Sequence, residues 1–260
     1  MSQTVATIDH TFATDSGPAT HWLLRIGTFA CFLGHGACGI MTKASWVPYF
    51  GVWGIPEPWA WRLMPIIGTV DILLAVLILF VPIRAVVLWM VFWAFQTACL
   101  RPFSGDSAWE FVVRAGNFGV PLAFLWSGGR PDAWRDWFAP IRPVALGARG
   151  MTLLAWILRV ASAALLVGHG MLVVVLHRPS WAPGFGWIEV ALGLAILARP
   201  FPALLWIAFA WKLVTEFLPV PAGAPAWEFI EHGASIVAPL ALYFVQRGAV
   251  SGFRLRALRS

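Results

Sequence analysis

Charged residues are scarce in this 260-residue sequence, since only 12% are Asp, Glu, Lys or Arg, against about a quarter in soluble domains. With 60% hydrophobic residues and a mean hydropathy of +0.77, this shortage excludes most soluble enzymes. It also excludes a disordered chain, which needs few apolar residues and much charge. Because a spanning helix takes about 20 mostly apolar residues, the sequence predicts an all-α integral membrane protein.

Cysteine and lysine are also rare. The three cysteines (Cys31, Cys38, Cys99) form no CxxC pair and are odd in number, which excludes a disulfide framework and a dithiol redox motif. Two lysines accompany 16 arginines, and the net charge is +6. The arginines lie in short segments between apolar runs rather than on one face, so we expect a lipid bilayer as partner and no nucleic acid.

Apolar runs bounded by proline, glycine and charge predict eight transmembrane helices. Pro82 separates the second from the third, and Pro200 separates the sixth from the seventh. If the N-terminus is cytoplasmic, ten Lys/Arg residues fall on the cytoplasmic side and four on the other, so we expect both termini inside. The predicted helices cover 20–41, 63–81, 84–101, 109–127, 151–176, 184–199, 202–219 and 228–246.

The chain contains an internal duplication. Gly34-His35-Gly36 matches Gly168-His169-Gly170 at a spacing of 134 residues, and Trp109-Glu110-Phe111 matches Trp227-Glu228-Phe229 at a spacing of 118. The difference reflects an extra Trp-rich stretch near 52–68 in the first half. Each half is therefore predicted to be a four-helix unit, and an even number of spans makes the two repeats parallel.

Five segments follow from this division. A cytoplasmic tail (1–19) precedes the first repeat (20–128), and a basic cytoplasmic tail (248–260) follows the second repeat (151–247). Between the repeats, 129–150 is predicted to be an amphipathic linker on the cytoplasmic surface. Its apolar residues that can share one helical face are Trp134, Trp137, Phe138 and Ile141.

Ionisable side chains are costly inside a bilayer, so those kept in both halves are candidate functional residues. Helix positions place several of them at similar depth in the outer half of the membrane, where we expect a site. The repeated pairs are Arg25/Arg159, His35/His169, Asp71/Glu189, Glu110/Glu228 and Arg114/His232.

Glycines on both sides of His35 and His169 leave room for another helix, a planar cofactor or a quinone ring. Each imidazole could ligate a metal or haem, donate to a quinone carbonyl, or be structural. Trp109 and Trp227 are further candidates for cofactor contact because they precede the repeated glutamates.

Carboxylates are the candidate catalytic groups. Glu110 and Arg114 share a helix face at i, i+4, and Glu228 and His232 repeat this spacing. Ser107 also predicts a capping box with Glu110, and neither interpretation is favoured. Asp71 and Glu189 lie mid-helix, where they could carry protons or pair with Arg25 and Arg159. Lys212 and Glu216 are present in one half only and predict an internal salt bridge.

Four features follow one another in the same order. They are a Leu-Arg pair (Leu24-Arg25), Gly-His-Gly, a cation (Lys43, Arg178) and an acidic residue that opens a Gly/Leu-rich helix (Asp71, Glu189). This order resembles the DoxX/DoxD-like superfamily in tandem. The resemblance covers roughly 22–127 and 155–246. It implies four-helix units in the bacterial inner membrane, some of which serve quinone-linked oxidoreductases such as thiosulfate:quinone oxidoreductase. Related disulfide-handling quinone enzymes use a CxxC motif that this chain lacks.

Three functions remain open at this point. The first is a quinone-, haem- or metal-linked redox subunit that works with a membrane or periplasmic redox partner. The second is a non-catalytic accessory or assembly subunit, and the third is a transporter of a small solute. No P-loop, dinucleotide fingerprint or serine-hydrolase elbow is present in the sequence, so nucleotide and acyl chemistry have no support.

Overall fold

A computed structural model describes the backbone of residues 16–176 and 183–257, with side chains for 17–176 and 183–248. Eleven α-helices and two short 3-10 turns make up the secondary structure of these residues. The helices are α1 Ser16–Ile40, α2 Val47–Val52, α3 Glu57–Phe80, α4 Arg84–Phe103, α5 Ala108–Val112, α6 Ala115–Ser127, α7 Ala148–Leu176, α8 Pro183–Ala198, α9 Pro202–Phe217, α10 Ala226–Glu231 and α11 Gly233–Ala257. The 3-10 turns are Ala44–Trp46 and Trp134–Phe138.

The all-helical class predicted from composition is confirmed for the described residues, and five segments are long and apolar enough to cross a membrane. Pro82 and Pro200 separate helices where the sequence predicts, because proline lacks the N–H that would continue the helical ladder. The five segments are Gly17–Ile40, Glu57–Phe80, Arg84–Phe103, Ala148–Leu176 and Ala226–Gly248, and α8 is a shorter apolar helix.

Two of the predicted helices are interrupted. The run 109–127 divides into α5 and α6 at Arg114, and the run 228–246 divides into α10 and α11 at His232. At both breaks the backbone N–H donates to the residue three positions earlier, 3.1 Å from Phe111 O and 3.2 Å from Phe229 O. The helical hydrogen-bond pattern therefore changes from four residues to three at each break and then resumes. The two breaks lie at sequence-matched positions.

Four helices (α1, α6, α7 and α11) form the centre of the bundle, and α3, α4, α8 and α9 pack around them. Within the spanning windows of α1 and α11, 61% and 56% of the residues are buried, against 28% in α3 and 22% in α4. The outer helices expose large apolar side chains, including Leu73, Phe80, Phe92, Leu194 and Val214. Such a continuous apolar exterior is typical of a surface that lipid covers.

The segment 129–150, predicted to be an amphipathic linker, is mostly extended before α7 begins at Ala148. Between 129 and 147, Trp134–Phe138 form the one helical turn, in which Trp134 and Phe138 are exposed. The chain then extends, and Ile141 is buried and donates its N–H to Pro82 O at 2.8 Å. Pro140 and Pro143 lack the N–H groups that a longer helix needs, so the predicted common face that included Ile141 does not form.

Candidate functional site

The Gly-His-Gly motifs lie where central helices approach their neighbours most closely. A Cβ on Gly34 would stand 2.2 Å from Glu231 N, and one on Gly36 would stand 2.5 Å from Gly68 O. Both are backbone atoms, which cannot move aside as a flexible side chain can. Glycine at these two positions therefore lets α1 contact α10 on one side and α3 on the other, with His35 between them.

The second motif makes the same contacts at matched positions. A Cβ on Gly168 would stand 2.3 Å from Val113 N, and one on Gly170 would stand 2.4 Å from Gly186 O. Val113 and Glu231 are 118 residues apart, the spacing of the internal sequence match. The glycines thus have a packing role in both halves, and each first glycine meets a helix break from the opposite half.

His35 is held between two carboxylates and an indole ring. Its Nδ1 lies 3.1 Å from Glu231 Oε1, and its Nε2 lies 4.0 Å from Asp71 Oδ2. The imidazole stacks on Trp46 with ring centroids 4.4 Å apart and 25° between planes. Asp71 and Glu231 are buried, so this histidine joins two desolvated acids through its two ring nitrogens.

A cavity of about 340 Å³ opens beside His35. Its size falls within the range of about 300–1,000 Å³ found for small-molecule sites. The α2 segment covers it, and α1, α3 and α4 form its walls. Most of the lining is apolar, with the aromatic side chains Phe32, Trp46, Tyr49, Phe50, Trp53 and Trp93.

Several polar atoms in the cavity wall are buried without a hydrogen-bond partner among the described residues. Asp71 Oδ2 and Gln96 Oε1 are two of them. The indole nitrogen of Trp93 lies beside the Asp71 carboxyl but outside hydrogen-bond geometry. Buried polar groups are nearly always paired in native proteins, so this wall has the character of a site that a ligand with polar atoms completes.

The matched residues of the second half are arranged differently. His169 Nδ1 lies 2.5 Å from Glu189 Oε2, and Trp211 donates its indole N–H to Glu189 Oε1 at 2.9 Å. Glu189 is one methylene longer than Asp71 and reaches both partners. His169 and Glu189 are outside the lining of the cavity beside His35.

The pairing predicted for the repeated glutamates forms in one half only. Arg114 Nη1 lies 2.5 Å from Glu110 Oε2, as the i, i+4 spacing predicts, and Ser107 caps α5 by accepting the Trp109 N–H. Glu228 and His232 do not pair with each other. Instead Lys43 Nζ lies 2.7 Å from Glu228 Oε1, because the opposite half supplies a cation closer to that carboxylate than His232 is.

The predicted Lys212–Glu216 salt bridge is confirmed, and it extends to a third residue. Both side chains are buried, and Glu216 Oε2 also lies 3.1 Å from His232 Nδ1. His232, predicted as a partner of Glu228, thus belongs to an ionic cluster of Lys212, Glu216 and His232. A buried cation of this kind needs such partners because its desolvation is costly.

The repeated arginines cap helix ends rather than pair with the acids. Arg25 Nε donates to Ile78 O at 2.9 Å, and Arg159 Nε donates to Ile196 O at 3.1 Å. Each carbonyl lies in the last turn of its helix, where carbonyls lack intrahelical donors. The alternative in which Asp71 and Glu189 pair with these arginines is therefore wrong.

Tyr49 connects α2, which covers the cavity, to the end of α4 and the loop after it through two hydrogen bonds. Its hydroxyl donates to Asp106 Oδ2 at 2.8 Å and accepts from Arg101 Nη1 at 2.5 Å. Burial raises the pKa of the Tyr49 phenol to about 12; the nearby Arg101 cation acts in the opposite direction, and the hydrogen bond to Asp106 reinforces the rise. The phenol therefore remains a neutral donor at physiological pH.

Of the candidate site residues, His35, Asp71 and Arg114 line the cavity, whereas Trp109 and Trp227 lie outside its wall. Glu231 was missed because its matched residue is Val113, so a search for repeated acids discards it. The available signal was a carboxylate within an apolar run. No group of three or more His, Cys, Asp or Glu side chains in the described ranges could hold a metal ion, and Arg178 lies outside those ranges.

Together these features define, over the described residues, a helical protein with an apolar exterior and a cavity beside a buried His–carboxylate cluster. Comparison with protein-family models, curated proteins and solved structures finds no match.

Proposed function

We propose that the chain is an integral membrane protein with eight spans in two parallel four-helix repeats. Five candidate spanning segments, the shorter apolar helix α8, the 16-residue helix α9 and the α5–α6 pair supply the eight. The equal glycine contacts at His35 and His169 support the repeat. In this arrangement both termini lie on the side with more arginine, which we assign as the cytoplasm of a bacterium, and the cavity lies in the opposite half of the inner membrane.

We further propose that the protein is a DoxX-like, quinone-linked redox subunit that binds a quinone-type molecule in the cavity beside His35. The observation that carries the proposal is the buried carboxylate of Asp71, which lines an aromatic-walled cavity and whose Oδ2 has no hydrogen-bond partner in the described structure. A planar ring with carbonyl oxygens fits between the aromatic walls. Its oxygens can accept from the Trp93 indole or from Asp71 when that carboxyl is protonated.

A bound quinone supplies two-electron chemistry that also requires two protons. The residues of this chain are arranged to handle those protons. Asp71 can present a proton at Oδ2 to an oxygen in the cavity, and His35 can restore it from Nε2, 4.0 Å away, through a small rotation or one water. Giving up this proton converts His35 from imidazolium to neutral imidazole, which keeps its Nδ1–H directed at the Glu231 carboxylate 3.1 Å away. We assign electron delivery to a membrane or periplasmic redox partner.

Equilibrium dialysis of the purified protein in detergent against empty micelles, with menadione as probe, tests the binding. We expect saturable binding that weakens roughly tenfold in Asp71→Asn and His35→Gln, which corresponds to loss of one good polar contact. The matched variants Glu189→Gln and His169→Gln are controls for general damage and should bind like wild type. Absence of saturable binding, or equal losses in all four variants, would contradict the proposal.

A further inference from the structure

The cavity wall has sequence-matched positions in the second half, and two of them carry larger side chains. Gly39 and Ala94 correspond to Val173 and Lys212. Gln96 corresponds to Val214, which is apolar and exposed on the outside of the bundle.

Lys212 is the largest of these replacements. Its side chain is 1% exposed and is held by Glu216, which in turn contacts His232. Ala94, the matched residue, leaves that volume open to the cavity in the first half. Glu216 corresponds to Ala98 in the sequence match. The first half therefore lacks both a lysine like Lys212 and an acid that would pair with it.

The surroundings of the two histidines diverge in the same direction. Glu231 approaches His35 from the opposite half, whereas Val113 occupies the matched place beside Gly168. A valine cannot exchange a proton with His169. That histidine keeps a contact with one acid, Glu189, at 2.5 Å.

We infer that the duplicated protein binds one ligand per chain, beside His35, and that the Lys212–Glu216–His232 cluster closes the second copy of the site. Ala94 leaves the first copy open, Gln96 adds a polar group to its wall, and Glu231 completes it. This inference rests on the proposed function, because the ligand is the quinone-type molecule assigned above.

The number and location of binding sites can be measured by the same dialysis with menadione, extended to saturation. We expect one menadione per chain. Ala94→Leu, which fills the open volume, and Gln96→Val, which copies the second half, should each weaken binding by about tenfold or more. Lys212→Met keeps the bulk of the side chain without its charge, and we expect unchanged binding with this matched control.

The outcomes separate the two proposals. Two outcomes would overturn the inference and leave the proposed function standing. One is the binding of two menadione molecules per chain. The other is the binding of one molecule that is lost in Lys212→Met but retained in Ala94→Leu and Gln96→Val. No saturable binding in the wild-type protein would overturn both. Because Gln96 is only partly buried, Gln96→Val keeps the test decisive if Ala94→Leu fails to fold, as judged by far-ultraviolet circular dichroism.

Discussion

Replacing Gly34 with alanine tests the close contact on which the His35 site depends. The added methyl group would stand 2.2 Å from Glu231 N, 2.5 Å from Glu231 Cα and 2.7 Å from Trp227 O. Ordinary contacts begin near 3.4 Å, so α10 must retreat from α1 by about 1 Å. A shift of that size along the His35–Glu231 contact, now 3.1 Å, lengthens it to about 4 Å, beyond hydrogen-bond reach.

The energetic cost follows from two opposing effects. Overpacking of a well-packed contact costs about 1–3 kcal/mol. Alanine is favoured over glycine inside a helix by up to about 1 kcal/mol. We therefore expect Gly34→Ala to lower the free energy of unfolding by about 1–2 kcal/mol, measured by SDS titration in mixed micelles with tryptophan fluorescence.

Two glycine variants make this experiment specific. Gly17 lies in the same helix with nothing within 4 Å of its would-be methyl group, so Gly17→Ala should be neutral or slightly stabilising. Gly168→Ala meets Val113 N at 2.3 Å and should destabilise the fold as Gly34→Ala does, yet leave menadione binding intact. If Gly34→Ala is as stable as Gly17→Ala, the close approach of α1 and α10 is not as described.

Three further experiments address other contacts. Arg25→Met removes the charged donor to Ile78 O, and we expect a loss of about 1.5–3 kcal/mol of unfolding free energy in the same titration. A double-mutant cycle with Lys43→Met and Glu228→Gln should give about 0.2–1 kcal/mol of coupling that shrinks in high salt, because both side chains are about one-third exposed. Folding raises the pKa of Tyr49 to about 12, so wild-type stability should fall between about pH 10 and 12 as the phenol loses its proton. Tyr49→Phe should lose that part of the pH dependence of stability. An identical pH dependence in the variant would refute the assignment.

Much of the fold can be predicted from the sequence because its determinants are local. Proline fixes the ends of helices at Pro82 and Pro200, and apolar composition fixes their existence. The breaks at Arg114 and His232 were not predicted, since each occurs where a helix meets the first glycine of a motif that is distant in sequence. The predicted helical face of the linker does not form because Pro140 and Pro143 interrupt the helix that it requires.

The candidate site was predictable only in part, because it combines residues from both halves. His35 and Asp71 carry a sequence signal, being ionisable residues within apolar runs. The contact of His35 with Glu231 depends on how α10 packs against α1, which no spacing within the first half reveals. The cavity wall also includes Trp53 and Ile55, which belong to the extra stretch near 52–68 that has no match in the second half.

Repetition and function are therefore distinct signals in this chain. The residues kept in both halves include glycines that permit helix contact and arginines that cap helix ends, and both have a structural explanation. The residues that break the repeat, Glu231 and Ala94, are the ones that complete and open the cavity beside His35. A structural constraint acts equally on both copies, whereas a single ligand site constrains one copy and leaves the other free to fill with an ion cluster. In a chain with internal sequence matches of this kind, the unmatched positions beside a matched histidine are accordingly the first place to look for chemistry.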